Sequence, residues 1–387
     1  MIGVIADDLT GAAEIGAVGL RHGLRAELLL GGNPGGNADL LCVDTDSRSC
    51  PPTEAARRCA DAARLLTSAG AQWIYKKVDS VLRGQITAEI NALLAELHLP
   101  LAFLIPANPS RGRTIQNGLY FVQGKPIHET EFARDPEYPR TSPRALDLLT
   151  TSGPSDILVR APQDPLPDHG IILGEVASVN DLHTWAARKS NNILAAGGAE
   201  FFAALLARHK PSNPISPTAK RVQSNAKEIF VCGSTSASSR EFVTALRQQG
   251  TPVFSLPAVA GDPHFNASLL EPIASNAAAA LHSHPRIILN VGLPVISDKA
   301  ISKMLAVYLA QLAHLILRQS PPGLVGHFYA EGGATAKELV HCIGWHRFTV
   351  LEEVAPGTAT LLVNDESTLN LTIKPGSYPW PQTLWLL

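Results

Sequence analysis

Residues 4–23, VIADDLTGAAEIGAVGLRHG, place two carboxylates, Asp7 and Asp8, directly after a short apolar run. Neighbouring acids repel, so such a pair calls for a facing cation, a helix N-terminus to cap, or a hydroxyl to accept a proton from. Three more polar clusters also follow apolar runs: Asp44–Asp46–Ser47–Arg48, Lys76–Lys77–Asp79–Ser80–Arg83 and Asn108–Arg111–Arg113. Mixed acids and bases of this kind suit a small polar anion. A different chemistry is offered by AEGGATAKEL, where Gly332, Gly333, Ala334 and Thr335 open a helix and present backbone N–H groups and the helix dipole to an anion. Ser234 sits in a serine-rich turn of the same kind, CGSTSASS, and Gly357 and Lys374–Gly376 occupy further loops. Together they favour a phosphate-bearing ligand, although none is a Walker A or GxGxxG sequence. Plainer roles compete at each position: helix capping for Asp7, Asp8, Asp79 and Thr335, and solvated loop charge for Arg48 and Lys77.

These residues need a scaffold that gathers them. The first half alternates apolar runs with amphipathic stretches: MIGVIA, RAELLL, ADLLCVD, AQWIYKK and LAFLIP read as strands, with helices between them. Such alternation implies right-handed crossovers and a largely parallel sheet. Ligands bind such sheets beyond the carboxyl ends of the strands, so the four clusters are expected at one edge. Residues 117–145, rich in turns and prolines, are expected as a loop or hairpin over that edge. Residues 209–226 combine Pro, Ser, Asn and basic residues without an apolar period and read as a linker. Strand–helix alternation then resumes, closing with a hairpin that ends in a Lys-Pro-Gly turn. The expectation is an α/β protein of two domains, residues 1–208 and 227–387, each with a largely parallel sheet, and an active site in a cleft between them.

Bulk properties exclude several classes. A formal net charge of −2 gives no basic footprint for nucleic acid or an anionic membrane. No basic segment followed by a long apolar stretch opens the sequence, and MLAVYLAQLAHLILR is broken by Gln311 and His314, so a cytoplasmic location without membrane contact is expected. The five scattered cysteines fit reduced thiols. No HExxH, paired-histidine spacing or Gly-x-Ser-x-Gly elbow occurs, so no dedicated protein metal site is expected.

The stretches IADDLTGAAE, DTDSRS, KKVDSVLRG, IPANPSRGRT and GKPIHETEFARDP, followed by FVCGSTSASSR, EGGATA, APGTA and LTIKPG, resemble the four-carbon acid sugar kinase family in order along nearly the whole chain. That resemblance implies an ATP-dependent phosphotransferase acting on threonate, erythronate or a 2-oxo-tetronate, at the terminal C4 hydroxyl. It implies an acid-sugar-binding first domain and a nucleotide-binding second one. Carried onto this sequence, the substrate side is Asp8, Arg48, Lys76, Lys77, Val78 and Asp79; the sheet-edge reading adds Asp7 and Arg83. The nucleotide side is Ser234, Gly332, Gly333, Ala334, Thr335 and Gly357. A carboxylate to accept the hydroxyl proton is expected at Asp8 first and Asp79 second, and a cationic clamp at Arg48 or Lys76–Lys77. Magnesium is expected with the nucleotide phosphates rather than on protein ligands. The sequence leaves the tetronate and the oligomeric state open, a homodimer being the commonest assembly.

Departures from the family pattern fall at Val81, where threonine is usual, at Ala334, at Thr358–Ala359, and after the Lys374–Gly376 turn. They leave one alternative, a non-catalytic sugar-acid-binding or regulatory protein with a degenerate nucleotide domain.

Overall fold

Short runs of apolar residues form strands that are buried on both faces, as parallel sheets covered by helices require. The computed structural model describes residues 1–135, 137–149, 156–208, 226–262, 264–293, 298–364, 368–376 and 378–384. The chain divides into two units, Met1–Ser216 and Pro217–Leu387. The expected linker, apart from its last residue, lies outside the described residues.

In the first unit, β1 (Ile2–Ala6), β2 (Ala26–Leu29), β3 (Leu40–Asp44), β4 (Trp73–Lys77) and β5 (Leu101–Ile105) are the strands expected from the sequence. They are connected through helices α1 (Leu9–Arg21), α2 (Pro52–Ser68) and α3 (Ile86–Glu96). An antiparallel trio, β6 (Arg113–Gln116), β7 (Leu119–Val122) and β8 (Lys125–Pro126), forms a separate small sheet. The main sheet is completed by β9 (Ile157–Arg160), β10 (Gly170–Gly174) and β11 (Ile193–Gly197), with α4 (Val179–Arg188) and α5 (Ala199–Leu206).

The order is β2-β3-β1-β4-β11-β5-β10-β9, every pairing parallel. The chain runs from β1 outward to β2, returns to β3, then passes to β4 on the other side of β1. The winding direction reverses there, and a crevice opens at the carboxyl ends of the strands around such a switch point. Register fixes the level of exit: Ala6 lies between Asp44 and Lys77. Asp7 and Asp8, the segment after Asp44, and Val78–Asp79 therefore leave the sheet side by side.

The second unit adds β12 (Lys227–Cys232), α6 (Ala237–Gln248), β13 (Val253–Ser255), α7 (Leu270–Ser283), β14 (Arg286–Asn290) and α8 (Lys299–Gln319). It ends with β15 (Val325–Glu331), α9 (Gly333–Ile343), β16 (Arg347–Ala355), β17 (Thr358–Val363) and β18 (Asn370–Lys374). Strands β13-β14-β12-β15-β18 are parallel, and β17 is antiparallel to both β18 and β16. Helix α8 is the long helix that residues 297–319 suggest, and its segment Ala300–Gln319, with mean hydropathy 1.6, meets the length and composition of a membrane span. Leu305, Leu309, Leu312, Ala313 and Ile316 are buried and the helix packs on α7 and α9, which is the behaviour of a core helix.

Candidate active site

At the switch point one guanidinium reconciles the two adjacent acids. Arg48 meets Asp7 through two hydrogen bonds, Nε to Oδ2 at 2.7 Å and Nη2 to Oδ1 at 3.0 Å. Its Nη1 pairs with Asp8 Oδ2 at 2.7 Å and lies 4.0 Å from Asp79 Oδ1. Asp8 has a second task, capping α1 by accepting the Gly11 amide at 2.8 Å on Oδ1. Their environments separate the acids. Burial works against the ionised form of Asp7, but Arg48 together with Lys76 and Lys77 outweighs it and holds the carboxyl below its ordinary value. In Asp8, burial and the charge of Asp7 prevail over Arg48 and raise the carboxyl. Only 2% of the Asp7 side chain is exposed against 24% of Asp8, so Asp8 is the acid that solvent can reach.

Asp79 faces Arg83 in a two-pronged pair, Nε at 3.0 Å and Nη2 at 2.8 Å, and accepts the Val81 and Arg83 amides as well. Against its burial, Arg83 and then Arg48 keep the carboxyl well below the usual range. Asp135 takes the other side of Arg83 at 3.2 Å, and the Tyr138 hydroxyl donates to the Arg48 carbonyl. The segment 117–145 thus reaches the site, contributing β7 and β8 and these two contacts. Val81 lies in the hydrophobic core.

Lys76 and Lys77 do not act together. Side chains alternate across a strand, so adjacent residues of β4 point to opposite faces. Lys76 is fully buried beside Glu89 of α3 at 3.0 Å; against its burial, Glu89 with Cys59 and Asp7 raises the ammonium. Val78, expected on the substrate side, is likewise buried in the core. Lys77 instead meets Glu14 of α1 at 3.3 Å and donates to the Val78 carbonyl at 2.9 Å. Arg111 approaches the same Glu14 at 3.9 Å, and Arg113 donates to the Ser80 hydroxyl. The expected edge clusters are therefore gathered, with Lys76 and Val78 turned inward as corrections to the sequence reading.

In the second unit, β12, β15 and β18 are parallel neighbours, so their carboxyl ends bring Ser234, Gly332 and Gly376 together. Gly332 has φ +94°, a left-handed conformation that favours glycine. A Cβ on Gly376 would stand 3.5 Å from the Gly332 Cα and 3.8 Å from the Ser234 Cβ. Gly332 itself is the N-cap of α9, and no side chain caps that helix. Thr335, expected as a cap, is buried, and its Oγ1 occupies the space where a Cβ on Gly233 would lie. Ala334 is exposed. Gly357, φ +80°, makes the β16–β17 turn, which register puts beside the end of β18. Beneath lies a buried pair the sequence reading did not pair, Lys374 Nζ with Glu331 Oε1 at 2.7 Å. Ser239 donates to Glu331 Oε2 at 2.5 Å, and Lys374 also donates to the Pro375 carbonyl at 3.0 Å and to that of Tyr378.

Glu89 had a readable signal: in ITAEINALLAE it lies three residues after Ile86 and four before Leu93, on the apolar face. Asp44 shows a different effect. Its Oδ1 accepts the Asp46 amide at 2.8 Å, yet burial, with Asp8, Asp46 and Asp7 adding like charge, pushes the carboxyl up to about 8. Between about pH 4 and pH 8 the folded protein then keeps a proton that the unfolded chain has released. Stability accordingly falls as pH rises through that window and levels off above it. Asp44→Asn retains the acceptor without the titration, so its Tm should match wild type at pH 4 and exceed it at pH 8. Equal values at both would show an unperturbed carboxyl.

Comparison with known proteins agrees with this division. Residues 2–205 match a sugar-binding N-terminal domain and residues 229–378 a nucleotide-binding C-terminal domain. A D-threonate kinase of Salmonella typhimurium is 26% identical, covering 98% of this chain and 96% of its own. A D-erythronate kinase of Heliobacterium modesticaldum is 28% identical, covering 91% and 88%. The crystal structure of a Haemophilus influenzae protein has the same fold, with a TM-score of 0.74 at 23% identity over 97% of this chain and 96% of that one. The two domain matches, in this order and over nearly all of the sequence, show that the chain belongs to the four-carbon acid sugar kinase family.

Proposed function

We propose that this protein is an ATP-dependent kinase that phosphorylates a four-carbon sugar acid (threonate, erythronate or a 2-oxo-tetronate) on its terminal C4 hydroxyl. The observation that carries the proposal is Asp8: the open acid of the pair, with a raised carboxyl, at the switch point of the unit that matches a sugar-binding domain. A carboxylate raised toward neutrality is better matched to accepting a hydroxyl proton than one held far below. This favours Asp8 over Asp79, which Arg83 and two backbone amides occupy and which orders the loop 79–83. For the substrate carboxylate the proposal uses Lys77 and the Arg48 guanidinium, whose Nη1 also pairs with Asp8.

On the nucleotide side, the Gly332–Gly376 cradle is a space a side chain would fill, and uncapped amides of α9 open onto the same turn, which suits phosphates. Ser234, Gly333, Thr335 and Gly357 frame it. Magnesium, carried on the phosphates, would supply neutralisation of the charge that develops during transfer. Gly376→Val tests the cradle without straining the backbone, because its Cβ meets only ordinary contacts. The expected result is a KM for ATP raised about tenfold or more with Tm within about 2 °C of wild type. An unchanged KM would remove the cradle from nucleotide binding.

The reading as a whole is tested by coupled ADP release with ATP, magnesium and a panel of D- and L-threonate, D- and L-erythronate and oxo-tetronates. Turnover with one acid is expected. Silence across the panel would overturn the proposal.

A further inference from the structure

We propose that Glu14 of α1 limits the sugar-acid site to ligands with a single negative charge, by holding cations that a second charge would need; this rests on the proposed use of Lys77 for the substrate carboxylate. The cations at the carboxyl edge of the first sheet mostly answer carboxylates of the protein. Arg48 serves Asp7 and Asp8, and Arg83 serves Asp79 and Asp135. Glu14 stands before the next two: its Oε2 lies 3.3 Å from Lys77 Nζ and its Oε1 3.9 Å from Arg111 Nη2. Arg113 donates to the Ser80 hydroxyl instead. Acids thus nearly match bases along this edge, a lining that suits a monoanion and is poor for a dianion.

Local geometry leaves Lys77 one opening for a ligand. Gly11 keeps the first turn of α1 bare and the lysine passes over it: a Cβ there would stand 3.3 Å from Lys77 Cγ and 3.5 Å from its Nζ. Of the three N–H groups of an ammonium, one goes to the Val78 carbonyl at 2.9 Å and one faces Glu14. The third is left for an incoming carboxylate. The Lys77 and Glu14 side chains are only 5% and 17% exposed, so water does little to mute their charges. A second charge on the same four-carbon chain would meet the repulsion of Glu14 and Asp8, while Arg48 and Arg83 are already held by Asp7, Asp79 and Asp135. Rejecting a close relative of the substrate by a repelling charge is a common route to specificity. Glu14→Gln keeps the length and the helix-forming character of the side chain and removes only the charge.

The test is calorimetric titration of the full-length protein with D- and L-threonate, D- and L-erythronate, and the tartrates, in which a second carboxylate replaces the hydroxymethyl end of the same chain. Wild type, Glu14→Gln and Glu14→Asp are compared. Wild type should bind its preferred tetronate at least about tenfold more tightly than any tartrate. Glu14→Gln should tighten a tartrate by about tenfold or more, and the tetronate by less. Glu14→Asp, which keeps the charge, should discriminate as wild type does. If Glu14→Gln binds both kinds of acid more weakly, Glu14 merely holds Lys77 in place, and the proposal is overturned. A tartrate Kd unchanged in Glu14→Gln, or a wild type that binds tetronate and tartrate alike, overturns it too, and leaves the sugar-acid reading standing. If wild type binds none of these acids, that reading falls and takes the role of Glu14 with it.

Discussion

Asp8→Asn is expected to lower kcat by about 10²–10⁴-fold while leaving the fold and nucleotide binding close to wild type. The substitution isolates the charge. Asn caps helices as well as Asp does, so the Gly11 amide keeps an acceptor where Asp8 Oδ1 now receives it at 2.8 Å. Arg48 keeps its two hydrogen bonds to Asp7, so the guanidinium stays in place. What disappears is a proton-accepting oxygen in the partly open acid of the pair. Asp8→Ala separates the two duties further, because losing the cap costs about 1 kcal/mol in addition. Turnover should collapse in both variants, with a drop in Tm only for alanine. In wild type, the raised Asp8 carboxyl should appear as an acid limb in the pH dependence of kcat, and that limb should vanish in the residual activity of Asp8→Asn. An Asp8→Asn protein within tenfold of wild-type turnover would take the proton-accepting role away from Asp8.

Lys374→Met should be the most damaging single change to the second unit, costing about 3–5 kcal/mol. Lys374 and Glu331 are 0% and 1% exposed in their side chains, and they are direct register partners on β18 and β15. Removing the ammonium leaves the Glu331 carboxylate buried and answered by neutral donors such as the Ser239 hydroxyl, and strips the Pro375 and Tyr378 carbonyls of a donor. The Tm of this unit should fall by roughly 10 °C. Adding Glu331→Gln removes the stranded charge while keeping an acceptor for Ser239, so the double variant should recover a large part of the loss. If the double variant is no more stable than Lys374→Met, the cost lies in the lost carbonyl contacts rather than in the buried charge. Because the pair sits under the Gly332 turn, the rise in Tm that ATP gives wild type should also be diminished in the single variant.

Much of the architecture was readable along the chain. Short unbroken apolar runs such as IGVIA and LAFLI separate from longer stretches with a 3.6-residue apolar period such as PTEAARRCADAARLLTS without knowledge of the fold. Strand–helix alternation then implies a parallel sheet, and a parallel sheet sends the residue after each strand to one edge. That is why Asp7, Asp8, Arg48, Asp79 and Arg83 could be grouped across some eighty residues, and why the glycine turns of the second half could be grouped likewise. The buried acid of α3 was also within reach, since its place on an apolar helix face is a matter of counting.

What the sequence alone determined, then, is which residues arrive at the same edge; which of them pair there was decided by the tertiary structure. Lys76 and Lys77 are chemically alike and adjacent, yet the pleat of β4 sends one to Glu89 in the core and the other to Glu14 on the opposite face. Asp7 and Asp8 are identical residues, yet Arg48 grips the first through two nitrogens and leaves the second partly open at the helix cap. Charge pairing depends on side-chain direction and distance at the scale of a few ångströms. Burial then multiplies the consequence, because a low-dielectric setting turns small differences in placement into opposite shifts of two equal carboxyls.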